Sequence, residues 1–212
     1  MANKLICLVG MCGAGKSEVA QYLMKKREFG FVRFGQITLD KVKELREKSS
    51  EKLEKKIRDG LRKKYGMAAF AKLNMPQFNV LLKEGDVIGD GLYSWEEYLE
   101  LKEKYDDRLI VLAVYAAPKI RYRRLENRAK RHGEDSKLRY RSFTKGEAAS
   151  RDKSEIEKSH KAGPIAMADY TFINEGTLGN LYSQVDEVCD RIFRVKDGKV
   201  RTRKSNFRKN KI

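Results

Sequence analysis

The 212-residue chain has no apolar run near the roughly 18 residues that a membrane-spanning helix needs, and no charged-then-apolar leader ending in a small-residue cleavage site. Both absences lead us to expect a cytoplasmic protein. Cysteine is scarce: Cys7, Cys12 and Cys189 are odd in number and lack the paired spacing of a zinc site or a disulfide framework, which leaves reduced thiols. The two histidines, His132 and His160, have no ligand-spaced partners, and the single tryptophan, Trp95, reads as packing. Acidic residues are few beside basic ones, 30 against 47, giving a net charge of +17. That excess is local. Residues 121–151 hold eleven basic and four acidic side chains, residues 194–212 nine and one, and the rest of the chain is close to neutral. Two concentrations of positive charge on a nearly neutral body imply two sites for anionic partners.

What is present alternates between two periodicities. Lys4–Gly10 is a short apolar run suited to a buried parallel strand, and Lys16–Lys26 places Val19, Ala20 and Leu23 on one helical face. Phe29–Gly35, Asp86–Gly91, Asp107–Ala116 and Asp169–Gly176 read as four further strands. Between them the spacing predicts two amphipathic helices over residues 38–65, interrupted near Ser49 and Ser50, and a more apolar helical segment from Gly66 in which Pro76 starts a new helix or kinks the existing one. Ser94 with Glu97 has the spacing of a capping box, so a helix begins there. Arg121–Lys130 reads as an arginine-studded helix, His132–Ser150 as a polar lid, and Leu178–Phe193 as a last helix. The chain beyond residue 193 lacks the apolar content to pack and is expected to be a disordered basic tail. Five strands alternating with helices imply an α/β domain over residues 1–193, a parallel sheet covered on both faces.

Gly10-Met11-Cys12-Gly13-Ala14-Gly15-Lys16-Ser17 satisfies G-x-x-x-x-G-K-[ST] at every specified position. A loop that wraps a polyphosphate must turn successive backbone N–H groups inward, in conformations that side chains obstruct, hence the glycines. The helix that follows aims its unpaired N–H groups at the same phosphates. Lys16 supplies charge beside the transferring phosphoryl group, and the Ser17 hydroxyl is placed to ligate Mg²⁺. The nucleotide-binding set is therefore Gly10, Cys12, Gly13, Ala14, Gly15, Lys16, Ser17 and Glu18. No N-K-x-D stretch reads a guanine base, so ATP is the expected nucleotide.

Arg121, Arg124 and Arg128 recur at helical spacing and would share one face, able to aim several guanidiniums at one place. Asp90 ends the third strand just before a glycine, where a carboxylate could hold a metal ion through water.

These segments together carry a resemblance. The glycine loop, "LRKKYGMAAFAKL", the "DG" ending the third strand, "VYAAPKIRYRRLENR", the "RD" at Arg151-Asp152 and "ADYTFINEGT" resemble the dephospho-coenzyme A kinases and, more distantly, the nucleoside monophosphate kinases, over about residues 3–190. The resemblance implies a P-loop three-layer sandwich with acceptor-binding helices at about residues 38–85 and an arginine-rich lid at about 118–155. It implies transfer of a phosphoryl group from ATP, with Mg²⁺, to a hydroxyl of a nucleotide-like acceptor. Arg121, Arg124, Arg128 and Arg151 would serve as lid arginines, with Lys16 and Asp90 beside them, and Asn174 would lie against the adenine.

Two acceptor-side segments depart from that pattern. "FGQITLDK" has Gln36 where the family has an aspartate and Leu39 where an arginine is common, and "DGLYSW" has Tyr93 in place of a second arginine. Gln36 cannot act as a base, and Asp40, one turn on, reads as a first-turn aspartate favoured by the helix dipole. Loss of a positioned base does not abolish transfer, because the transition state is loose and catalysis is mainly positioning and charge stabilisation. A second function remains open beside the kinase: a nucleotide-binding regulatory protein with weak ATPase activity that docks on RNA or a ribonucleoprotein through residues 194–212, by phosphate contacts that weaken steeply with salt.

Overall fold

The computed structural model describes residues 2–47, 50–132 and 142–193. The expectations for the basic tail from residue 194, and for residues 133–141 within the lid, lie outside the described residues. Five strands form one sheet: β1 (Leu5–Val9), β2 (Gly30–Arg33), β3 (Val87–Asp90), β4 (Leu109–Tyr115) and β5 (Tyr170–Ile173). They pair in the order β2-β3-β1-β4-β5, all parallel. The chain leaves β1 in the middle, so the loop after Val9 lies at the point where neighbouring connections diverge, the usual crevice of an open parallel sheet.

Alternate residues of β1 divide the core. Leu5, Cys7 and Val9 join the cluster that includes Phe34, Phe70, Phe78, Leu101 and Val111. Ile6 and Leu8 join Val19, Leu23, Phe172, Leu181 and Phe193 on the other face. The first cluster is supplied by α4 (Ala69–Glu84) and α5 (Trp95–Tyr105), the second by α1 (Lys16–Lys26) and α10 (Leu178–Phe193). The result is the three-layer sandwich that the alternation of strands and helices implied.

Local chemistry sets the element boundaries. Ser50 accepts a hydrogen bond from Leu53 N–H and caps α3 (Glu51–Tyr65), which follows α2 (Gln36–Glu44). Pro76 sits inside α4, which runs on through it. The missing N–H is tolerated because Phe70, Ala71, Asn74, Phe78 and Leu82 bury one face of the helix on both sides of the proline. The expected single helix over Arg121–Lys130 is two: α6 (Pro118–Glu126) starts on a proline at its first turn and stops at Asn127, and α7 (Arg128–His132) follows. The part of the lid read as unpatterned holds α8 (Lys145–Glu157), opened by a capping box in which Thr144 and Glu147 bond reciprocally. A short α9 (Ala162–Ala166) then leads into β5.

Ser94 caps α5 as expected, accepting from Glu97 N–H at 3.0 Å, while Glu97 Oε2 accepts from Tyr93 N–H at 2.9 Å. Glu97 has no exposed surface, and its Oε1 meets no hydrogen-bond partner among the described residues. Burial pushes its carboxyl up to about 7, against the opposing pull of the Tyr93 N–H and the charge of Arg62. The folded protein therefore holds a proton that the unfolded chain releases between pH 4.5 and 7. This contribution to stability is full below pH 4.5 and lost as pH rises through 7. Urea titrations between pH 5 and 7.5 should show a fall in stability that Glu97→Gln flattens, and an equal fall in the variant would contradict this assignment.

Candidate active site

The loop after β1 is built from backbone conformations that only glycine adopts without strain. Gly10, Gly13 and Gly15 have φ values of 142°, 81° and 109°. A Cβ on Gly10 would run into the Val114 carbonyl, and one on Gly15 into the Asn174 amide. No side chain among the described residues caps α1, which leaves its first N–H groups open. Lys16 Nζ folds back over the loop, donating to Gly10 O at 2.7 Å and Met11 O at 3.3 Å. Ser17 and Glu18 occupy the first turn of α1, and Glu18 N–H bonds Gly15 O at 3.0 Å.

Two side chains from distant segments hold this loop in place. Asn174, just past β5, donates to Ala14 O at 2.7 Å, and its own oxygen accepts from Arg124 Nη2 at 3.4 Å. Its side chain is thus engaged by the loop and by Arg124. Arg121 is 4% exposed and donates to Cys12 O at 3.1 Å and Ala116 O at 2.9 Å. Its guanidinium also forms a two-pronged pair with Asp152 of α8, at 2.9 and 2.5 Å, and Tyr122 Oη donates to the same carboxylate at 3.1 Å. Arg121 therefore fastens the loop to α8. Arg121 and Arg124 lie on α6, whereas Arg128 opens α7, so the three do not share one continuous helix.

Asp90 ends β3 in register with Leu8 of β1, two residues before Gly10, with Arg33 Nε at 3.7 Å. Gln36, at the start of α2, donates to Asp40 at 2.9 Å, so the two residues considered for the acceptor hydroxyl are bonded to each other. Tyr93 reaches across this side of the site: its ring packs on Gly91 and its hydroxyl lies near Gly35.

Two charged residues that the sequence reading did not single out lie on the lid side. Glu155 Oε1 accepts from Arg151 Nε at 3.1 Å and its Oε2 from Lys161 Nζ at 2.8 Å. Burial would raise the Glu155 carboxyl, but Lys161 and then Arg151 hold it down at about 2. Lys161 is 1% exposed and lies over the Tyr93 ring, 4.7 Å from its centroid. The spacing of Arg151 and Glu155 is a legible i,i+4 pair. Nothing in the sequence marks Lys161, which is delivered by a turn in which His160 adopts φ 49°.

With this geometry in place, comparison is informative. A family model described as an AAA domain matches residues 6–153. A UPF0200 protein of Sulfurisphaera tokodaii is 32% identical over 199 residues, covering 90% of this chain and 98% of that one. The chain carries an AAA domain and belongs to the UPF0200 family. Among solved structures, TT1252 from Thermus thermophilus superposes with a TM-score of 0.56 at 18% identity, over 91% of this chain and 99% of that one. Shikimate kinase from Bacteroides thetaiotaomicron superposes with a TM-score of 0.54 at 16% identity, over 89% and 98%. At these identities they establish the fold of this UPF0200 chain, a three-layer sandwich of the P-loop kinase-like kind. No helix among the described residues is long and apolar enough to cross a membrane.

Asp152→Ala would leave the Arg121 guanidinium buried without its counter-charge. Removing one partner of such a pair costs about 3–5 kcal/mol, so urea unfolding should show a loss of that order, larger than for Asp152→Asn. Less than about 1 kcal/mol would mean that the pair does not hold the loop.

Proposed function

We propose that the protein transfers the terminal phosphoryl group of ATP to a hydroxyl of a nucleotide-like small molecule, as a dephospho-coenzyme A kinase-like or nucleotide kinase-like enzyme. The observation that carries this reading is the fully formed P-loop, tied by Arg121 to α8, the helix that holds Arg151 and Glu155. A loop that only bound nucleotide would have no need of a cationic arm fixed to it from the lid. The kinase-like neighbours and the motif resemblance support the same reading.

In the proposed reaction the acceptor oxygen attacks the γ-phosphorus. A new P–O bond forms as the bond to the β,γ-bridging oxygen breaks, ADP departs with that electron pair, and the hydroxyl proton passes to water or to a phosphoryl oxygen. Lys16 would unfold from Gly10 O onto the phosphates, Arg124 and Arg151 would face the charge that develops, and α2 to α4 would hold the acceptor. The fixed cations match a loose transition state, in which charge stabilisation outweighs base assistance.

The residues present suit Mg²⁺. The Ser17 hydroxyl, in the first turn of α1, and the Asp90 carboxylate, at the end of the strand beside β1, are hard oxygen donors, and no cluster of three or more His, Cys, Asp or Glu among the described residues would hold an ion alone. Phosphate and water oxygens would complete the set, as is usual for this ion. When bound, Mg²⁺ supplies charge neutralisation at the phosphates.

Burial, and next the charge of Lys161, lower the Lys16 ammonium to about 8, while Cys12, Glu155 and Asp90 push it up. Phosphate binding needs the charged form. Mg-ATP affinity should be level below pH 7 and weaken as pH climbs through 8, by up to about tenfold per unit for one required proton. Lys16→Arg, whose charge does not titrate in this range, should lose the slope. A flat profile in the unaltered protein would contradict the role given to Lys16.

The decisive assay follows γ-labelled ATP with Mg²⁺ and a panel of dephospho-coenzyme A, nucleosides, nucleoside monophosphates and short 5′-hydroxyl RNA, with Lys16→Ala as control. Label is expected on one acceptor, and not with the control. Label released only as phosphate would instead favour the regulatory reading with its basic tail.

A further inference from the structure

Lys161 is a buried cation. Its side chain is 1% exposed, held by Glu155 and laid over the Tyr93 ring. Burying such a charge costs several kcal/mol unless it is well paired, and its pairing is shared. One carboxylate, Glu155, serves both Lys161 at 2.8 Å and Arg151 at 3.1 Å, which leaves the trio with one positive charge in excess.

The trio is joined to the P-loop from two sides, by Arg121 between Cys12 O and Asp152, the neighbour of Arg151, and by the Tyr93 ring under Lys161, which packs on Gly91, whose N–H bonds Leu8 O two residues before the loop; the charge of Lys161 also depresses the Lys16 ammonium. Arg151 in turn feels the Cys12 and Tyr93 groups of the loop and of the acceptor side. The Tyr93 ring closes one side of Lys161, and Glu155 orients it. In contact within the group are Glu155 and Arg151 from α8 and Tyr93 from the loop before α5, while the charge of Lys161 acts on Lys16, Tyr93 and Glu97. Two cations sharing one close carboxylate keep an uncompensated positive charge without an anion and are complementary to one that carries several oxygens.

We propose that Lys161 and Arg151, sharing Glu155, form a phosphoryl-binding subsite opposite the P-loop, so that Lys16 and Lys161 grip one phosphoryl group from two sides. The inference rests on the nucleotide-binding reading above and assigns the chemistry of its lid side. Lys161 touches the phosphoryl oxygens, and Glu155 is a positioning residue that fixes where the ammonium points. The phosphoryl group has two possible sources, the terminal phosphate of the donor or a phosphate borne by the acceptor.

The test is calorimetric binding of Mg-ATP, of ADP, and of inorganic phosphate to the ADP-loaded protein, using the full chain. A hydrogen bond to a charged group is worth roughly one to two powers of ten in affinity. If the donor is the source, Lys161→Met should weaken ATP by about tenfold to a hundredfold and ADP by less than about threefold. If the acceptor is the source, ATP and ADP should hold and phosphate affinity in the ADP complex should fall. Lys161→Arg should restore part of either loss. Should Lys161→Met fail to fold, the double variant Lys161→Met with Glu155→Gln removes both charges together and should show the same selective loss. Unchanged affinity for all three ligands overturns the subsite, and so does equal weakening of ATP and ADP with a lowered melting temperature, which marks Lys161 as structural. If the unaltered protein binds no ATP, or Lys16→Ala binds it equally well, the nucleotide-binding reading itself fails and takes this inference with it.

Discussion

The site depends on one buried guanidinium. Arg121 bonds the carbonyl of Cys12 in the phosphate loop, the carbonyl of Ala116 just past strand β4, and both oxygens of Asp152 on α8. These three partners come from segments that the chain visits far apart, and a planar fork of fixed geometry is the side chain able to register them against one another. A lysine would offer the charge without the fork. Because Asp152 follows Arg151 directly, fixing Asp152 also fixes where the neighbouring guanidinium stands, so the phosphate loop and α8 form one body. A buried pair of this kind is weak evidence of stability, since desolvation consumes most of its Coulomb gain. What it does achieve is geometric definition of the site.

A second constraint runs through the glycines. The phosphate loop passes so near the Val114 carbonyl and the Asn174 amide that no Cβ fits at Gly10 or Gly15. This closeness lets Asn174, 160 residues away, accept part of the task of shaping the loop by bonding Ala14 O. The segment expected to lie against the adenine thus uses its asparagine side chain on the loop instead, and any base contact there would fall to its backbone or to its neighbours. Loop, α6 and the β5–α10 turn support each other, which is why the sheet order matters to function: β4 and β5 must lie on the side of β1 away from β3 for these bonds to close.

The parallel sheet and its covering helices were legible because apolar runs and helical spacing are local, and each strand was found within two or three residues of its expected ends. The P-loop was legible because glycine positions encode backbone conformation directly. The Arg121–Lys130 helix was misread because helical spacing carries no information on where a helix stops, and Asn127 is a modest terminator beside proline or glycine. The α8 helix was missed although Thr144 and Glu147 have capping-box spacing, since the weakly apolar sequence after them masked it. Lys161 and the Asp152 pairing had no local signal at all. Their positions follow from long-range packing and, for Lys161, from a left-handed turn at His160 that the sequence does not announce.

The two acceptor-side departures look different once the fold is known. Gln36, in the place of an expected aspartate, is bonded to Asp40, so that end of α2 offers an amide and a carboxylate already satisfied by each other. Tyr93, in the place of an expected arginine, brings no charge, but a lysine from another part of the chain rests on its ring. An aromatic face attracts a cation and strengthens that attraction as water is excluded. The acceptor side has therefore lost charge at the positions where a linear comparison looks for it, while the lid side contributes a buried ammonium at the same ring. Charge complementarity to a phosphate is a property of a pocket as a whole, and in the proposed subsite it would come from residues of α1, α8 and the turn before α9, acting across a tyrosine that holds no charge itself.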